Sequence, residues 1–442
     1  MSIATFINMR VHNAEQFRLA PSRATGNTSL YLTFGKVDSW ANDASPDTAN
    51  TSVATQNEIW YNMIGGKRIF SGDMVHVIPR YDWTANTKYI AYDHMDSTLY
   101  NPNTPFYVIT ADNNIYKCIA NANSSNSTVE PTSINPATLT QTSDGYVWKY
   151  MLTISDSDLM RFSTKDYVPI RQIDVDDGSL QWQVQDSVVA GQINSILVTN
   201  PGTGYNNSTN VSVDITGDGE SIAATATLNV ISNTVSSIQI SDYGYGYTYA
   251  NVTIRDAGGV GQNAAARAII SPIGGHGSNP LYELGSGYLM INTTLKNSEG
   301  GVLPISNEYR QISIIADPLK NDGANVSTNL SFLQTHTLTT IGSGSYNIDE
   351  NVYQGATYDT SFFRGKIVSW DSANGLVQVI NTSGTPTSQS LVGVDSSTTR
   401  FVTKIVEPDL TRNTGQIFYV NNILPITRSI DQNEDFKIVI KF

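Results

Sequence analysis

A single cysteine, Cys118, in 442 residues leaves no partner for an internal disulfide and no second thiolate for a zinc site. Charge is scarce as well, at 15% of residues, and unbalanced: 26 basic against 39 acidic side chains give a net charge of −13. An acidic surface repels phosphates, so a nucleic-acid groove is not expected. No apolar run approaches the roughly 18–20 residues of a membrane helix. The first eight residues, Met1 to Asn8, have neither a basic start nor a long apolar stretch, so a secretory leader is not expected either. Catalytic spellings are missing too. There is no Gly-x-Ser-x-Gly, no His-Glu-x-x-His and no Walker A loop, since Gly35-Lys36, Gly66-Lys67 and Gly365-Lys366 lack the following Ser or Thr.

What the chain does have is Asn, Ser and Thr at roughly three positions in ten, 23 Tyr, and many β-branched residues. Such a chain can bury several cores, so its low charge does not imply disorder. Helical patterning is rare. Thr55-Gln56-Asn57-Glu58 spells a capping box, with Ile59, Trp60, Met63 and Ile64 on one helical face and Gly65-Gly66 as the stop. A second short helix is expected from Ser155, with Leu159, Met160 and Phe162 as its apolar side. Elsewhere a period of two dominates. In the last residues Phe436, Ile438, Ile440 and Phe442 alternate with Lys437, Val439 and Lys441, the pattern of a half-buried strand.

Residues 193–271 contain a duplication. Ile196 to Tyr205 (ILVTNPGTGY) is answered 42 positions later by Ile238 to Tyr247 (IQISDYGYGY), Val211-Ser212-Val213 by Val252-Thr253-Ile254, and Ala223-Ala224 by Ala264-Ala265. Two copies are too few for a solenoid, so a compact inserted β module is expected. Short strands around Val352, Ile367, Val377 and Val392, with a turn at Asp371–Gly375, point to a small antiparallel barrel.

Few residues invite a site. His12, His76, His94, His276 and His336 lie at no metal-pair spacing and read as structural hydrogen-bonders. Asp174-Val175-Asp176-Asp177-Gly178 is a partial calcium-loop spelling without the terminal Glu, and Asp214, Asp218 and Glu220 flank glycines; tight turns are the favoured reading of both. Tyr243, Tyr245, Tyr247 and Tyr249 would form a sugar-stacking platform if they alternated along a strand. Gly244 and Gly246 favour packing in a turn instead. No catalytic, cofactor-binding or metal-binding residue is assigned.

Five segments in series resemble a known family. They are Leu30–Lys36 (LYLTFGK) followed by Trp40; Val77–Trp83 (VIPRYDW); Asp144–Tyr150 (DGYVWKY); Tyr309–Leu319 (YRQISIIADPL); and Gly415–Val420 (GQIFYV), with Pro425-Ile426, Asp431-Gln432 and the last strand. Together they resemble the dimeric baseplate wedge subunit of T-even-type contractile-tailed bacteriophages, over a little over half of the chain. Trp83, Trp148 and Tyr150 are expected as core anchors, and Arg80 and Arg310 as ties to carboxylates or carbonyls at strand ends. The resemblance implies a mainly β, multidomain fold of antiparallel barrels and sandwiches with few short helices. The expected parts are an N-terminal region 1–189, the duplicated insertion 190–272, a return segment 273–329, an inserted barrel 330–404, and C-terminal strands 405–442. It further implies a non-enzymatic subunit of the virion's tail baseplate, assembled in the host cytoplasm without cofactors. Its expected partners are a second copy of itself and other wedge proteins, not nucleic acid or membrane, with at most a minor glycan contact through the Tyr-rich repeat. The competing expectation is a tail-associated protein that binds or cleaves glycans, which would need two carboxylates about 5–10 Å apart in a groove.

Overall fold

Alternating β-branched and aromatic residues bounded by Gly, Asn and Asp turns give strands almost throughout, in antiparallel sheets and one closed six-stranded barrel. The computed structural model describes residues 6–101, 103–205, 211–219 and 225–442, with backbone alone at 225–228. The chain divides into two units, each drawn from separated segments: one takes residues up to Phe17, Val75–Ile291 and Ile438–Phe442, the other Arg18–Met74 and Asn292–Lys437.

The second unit is built on a sheet containing β1 (Leu30–Gly35), β2 (Met63–Ile69), β16 (Glu308–Ala316), β17 (Ser331–Leu333) and β24 (Gln416–Thr427), in the order β17-β2-β1-β16-β24. Its register places Leu32 opposite Ile314 and Phe34 opposite Ile312. Residues 18–74 therefore separate from the rest of the expected 1–189 region, because β1 and β2 find their partners β16 and β17 about 265–285 residues later. The first expected helix is α2 (Val53–Asn62), capped by Ser52, whose hydroxyl accepts from Thr55 N. Met63 and Ile64 do not continue it. They begin β2, and Gly65-Gly66 lies inside that strand, where the lack of a side chain lets Phe332 of β17 lie close against the backbone.

The barrel follows as β18 (His336–Ile341), β19 (Asn351–Gln354), β20 (Phe363–Asp371), β21 (Leu376–Gly384), β22 (Ser390–Gly393) and β23 (Thr399–Val406). Leu338, Val352, Phe363, Ile367, Val377, Leu391 and Val402 fill it. Its limits thus differ from the expected 330–404. β17 belongs to the neighbouring sheet, and β23 runs on to Val406.

The first unit combines α1 (Ile7–Leu19) through Phe17 with two sheets. One contains the Val75–Pro79 portion of β3 (Met74–Pro79), β8 (Tyr167–Ile170), and the Tyr288–Ile291 and Ile438–Lys441 portions of β15 (Tyr288–Lys296) and β25 (Asn433–Lys441). The other is β4 (Tyr107–Ile109), β5 (Asn114–Asn121), β7 (Tyr146–Thr153) and β6 (Thr140–Gln141). The expected second helix is α3 (Asp156–Phe162), capped by Ser155. Phe162 is buried and Met160 is exposed. Short α4 (Leu180–Asp186) and α5 (Pro280–Glu283) were not signalled by apolar periodicity, nor was α1, which buries only Val11 and Ala14.

The duplicated module belongs to this unit and is interlocked. Its first copy supplies β9 (Ile193–Asn200), β10 (Val211–Gly217) and β11 (Thr225–Ile231); its second supplies β12 (Thr234–Asp242), β13 (Ala250–Asp256) and β14 (Ala265–Ile270). β14 pairs with β9, β11 with β12, and β10 with β13, so every first-copy strand pairs with a second-copy one. The loops exchange equivalent hydrogen bonds: Tyr205 N donates to Asn233 O and Tyr247 N to Gly191 O, both at 3.0 Å. Val235 N to Pro201 O and Ile193 N to Tyr243 O form a second such pair, at 2.9 and 3.0 Å. Tyr205 and Tyr247 are both buried, each ring occupying the space that a Cβ would need at Gly261 and Gly219 respectively. Ala223-Ala224 of the repeat lies outside the described residues.

Candidate functional site

The densest group of buried ionisable side chains lies in the first unit, where β5 and β7 meet the loop leading into α5. Alternation along β5 and β7 turns Lys117 and Lys149 inward, and both are almost fully buried together with Glu283 and His276. Lys117 Nζ is 2.9 Å from Glu283 Oε2 and 4.2 Å from the centre of the Tyr92 ring. The other carboxylate oxygen of Glu283 accepts from Gly277 N at 2.8 Å and Asn279 N at 3.2 Å. His276 stacks edge-on against Tyr92, and neither ring nitrogen has a hydrogen-bond partner among the described residues. Burial pulls the His276 pKa well below the usual histidine range, helped by Lys117 and Lys149. Burial also lowers Lys117, opposed by Glu283, and brings Lys149 down to about 8. A lysine so shifted is the raw material of a nucleophile. Lys149, however, is only 3% exposed and donates to Pro136 O at 2.6 Å, so its place suits anchoring the loop.

A second polar chain has the form of a hydrolase triad. His76 on β3 sits between Ser286 Oγ, 3.2 Å from Nδ1, and Glu15 Oε2, 2.9 Å from Nε2. The order Glu15, His76, Ser286 carries no recognisable spelling, so only folding reveals it. Ser286 has no exposed surface, and its hydroxyl also lies within donating distance of Val77 O and Tyr288 O. A nucleophile must reach its substrate. This serine instead fastens the Gly285–Gly287 turn to β3.

The residues singled out in the sequence are dispersed. Asp176 and Asp177 accept backbone amides of Gly178 and Ser179, both at 2.9 Å, and make the turn into α4. Asp218 accepts from Thr248 N and Tyr249 N, and its hydrogen bonds with Thr248 and these amides lower its pKa to about 2. Asp214 pairs with Arg255, while Glu220 lies outside the described residues. No group of three or more His, Cys, Asp or Glu among the described residues is placed to hold a metal. Tyr243–Tyr249 is a loop between β12 and β13, not a strand: Tyr247 is buried, Tyr249 exposed, and Tyr243 and Tyr245 half-buried. His94 Nδ1 accepts from Ile270 N, His336 Nε2 lies 2.9 Å from Glu407, and His12 is on an exposed part of α1.

The anchors expected from the five segments are in place. Trp148 is fully buried, stacked on Tyr146 at 5.5 Å, and Tyr150 is buried beside Tyr116. Trp83 is half-buried with Nε1 donating to Ser127. Arg310 grips Asp43, Glu308 and Val37 O; Arg80 pairs with Asp82.

The second unit carries an open cleft of about 420 Å³ lined by Asn57, Glu58, Trp60, Tyr61, Arg412 and Asn413. Sequence reasoning did not find it, because α2 and the turn before β24 are some 350 residues apart. No protein-family model matches the chain, and no curated protein shows significant similarity to it.

Proposed function

We propose that this chain is a structural subunit of the tail baseplate wedge of a contractile-tailed bacteriophage, working as a homodimer with other wedge proteins and without catalysis of its own. The observation that carries the reading is the ordered series of five segments resembling the T-even wedge subunit. These segments supply or adjoin β1, β3, β7 and β16, interior strands of the sheets of the two units, and the edge strand β24. The interlocked module and the closed barrel are separate β bodies with their own cores, as insertions on a common framework would be. Dimerisation gains support from β24, an edge strand of twelve residues without one charged side chain, on which Leu424 is 57% exposed. Charge is one usual guard of an edge strand; here Pro425 and the Trp40–Asp47 loop, bonded to Ile423 O and Asn422, guard only part of it. The glycan-handling alternative loses its platform with the burial of Tyr247.

A nonsense mutation in the phage gene tests the reading. It predicts particles with incomplete baseplates, restored by supplying the chain in trans. Infective particles with normal tails in its absence would refute it.

A further inference from the structure

The cleft on the second unit combines a half-buried cation with no anion to match it. Arg412 makes two hydrogen bonds, to Thr382 O at 3.4 Å and Thr382 Oγ1 at 2.9 Å, and its guanidinium lies 6.0 Å from the centre of the Tyr61 ring. No carboxylate among the described residues pairs with it. Glu58, the one carboxylate lining the cleft, lies 3.5 Å from Lys36 Nζ instead. Burial lowers the pKa of Arg412, opposed only by Tyr61. Arg267, Arg310 and Arg428 each pair with a carboxylate, whereas half-buried Arg68 and Arg400, like Arg412, bond only carbonyls or hydroxyls, and neither of those two lines a cleft of this size. Burying a charge without a counter-ion costs free energy that a bound anion would return.

We propose that this cleft receives an aspartate or glutamate side chain from a partner polypeptide, with Arg412 as its counter-ion. The planar guanidinium suits a carboxylate, held by two parallel hydrogen bonds. A space of about 420 Å³ far exceeds one carboxylate and has room for a side chain with flanking backbone. Tyr61, 43% exposed, offers ring surface to the methylenes, and the amides of Asn57 and Asn413 can bond peptide groups. The proposal rests on the assembly-subunit reading only for where that partner is found.

The test is saturation-transfer NMR on the purified full chain, with acetyl-Gly-Glu-Gly-amide as probe and acetyl-Gly-Gln-Gly-amide and acetate as controls. We expect a signal from the Glu peptide at least about fivefold above that from the Gln peptide, in line with the greater strength of charge-assisted hydrogen bonds. Arg412→Gln should abolish it. Asn413→Asp, which supplies a carboxylate in the cleft while keeping Arg412, should abolish it too, and Asp tolerates the left-handed backbone there (φ 59°). Equal signals from the two peptides, an unchanged signal in both variants, or displacement of the peptide by equimolar acetate would overturn the proposal. In the particle, Arg412→Gln should incorporate poorly. Normal incorporation of a variant that no longer binds peptide would overturn the partner assignment and leave the subunit reading standing. Absence of the wild-type chain from tails would refute that reading without touching the peptide result.

Discussion

At the scale of single residues, the chain spends its ionisable groups on holding loops to sheets. Glu283 is the clearest case, with one oxygen on buried Lys117 and the other on backbone amides. Glu283→Gln leaves Lys117 buried without a counter-ion and should cost about 3–5 kcal/mol. Replacing both residues by Met should cost less than the single change, and urea midpoints of the two variants measure the difference. His276 adds a pH dependence of definite sign. Its folded pKa lies well below 6.5, so as pH falls through 6.5 the unfolded chain takes up a proton that the folded one refuses. Stability should therefore drop on acidification, by at most about 1.4 kcal/mol per pH unit from this group. Between pH 7 and 5, His276→Phe should lose less stability than the wild type. His94 and His336, lowered in the same direction, remain in both proteins. Equal losses would show that His276 is not shielded as described.

At the scale of elements, legibility followed periodicity and local chemistry. The C-terminal strand was readable because alternation is a local signal: Phe436 and Ile438 are buried, Ile440 and Phe442 half-buried, and Lys441 is exposed. Its end meets the start of the chain, with Phe442 and Phe17 rings 5.6 Å apart. Deleting residues 434–442 also removes Glu434, the buried partner of Arg428, and should abolish soluble folding. A truncated chain with a cooperative melt near that of the wild type would contradict this. The Met63–Gly66 stretch was misread as the end of a helix because apolar spacing there suits both periods. The pairing with β17 that decides it lies some 270 residues away. The Tyr series was readable as a turn because Gly244 and Gly246 interrupt its alternation, and Tyr247 is buried in the loop between β12 and β13. The Glu15–His76–Ser286 chain and the Arg412 cleft had no local signal at all, because their members come together only through tertiary pairing.

At the scale of the whole molecule, the ends of the duplicated module decide what its removal does. The duplicated module has a narrow neck, where Ser271 N donates to Gln192 O at 2.8 Å and Gln192 N to Ser271 Oγ at 3.1 Å. It is not wholly self-contained. Ile269 packs into the core of the first unit with Ile154 and Ile170, and Arg267 pairs with Asp93. Replacing residues 194–268 by a short Gly-Ser linker should thus leave the unit folded at a cost of about 1 kcal/mol for the lost ion pair. Dimers should form normally and enter baseplates poorly. Removing only one copy, residues 193–231, should be worse than removing both, because every strand pairing between the copies is then broken. A stable single-copy variant would show that the interlocking is dispensable.

The central claim is that this chain is a building block of a tail baseplate. It is tested most directly by a density map of a contractile tail assembled by the source of this chain, at a resolution that traces side chains. The account predicts two copies of this chain in each wedge, with density for Trp148 and Tyr146 stacked in the core and a carboxylate from a neighbouring chain at Arg412. A baseplate traced to completion with no density for this chain would contradict it.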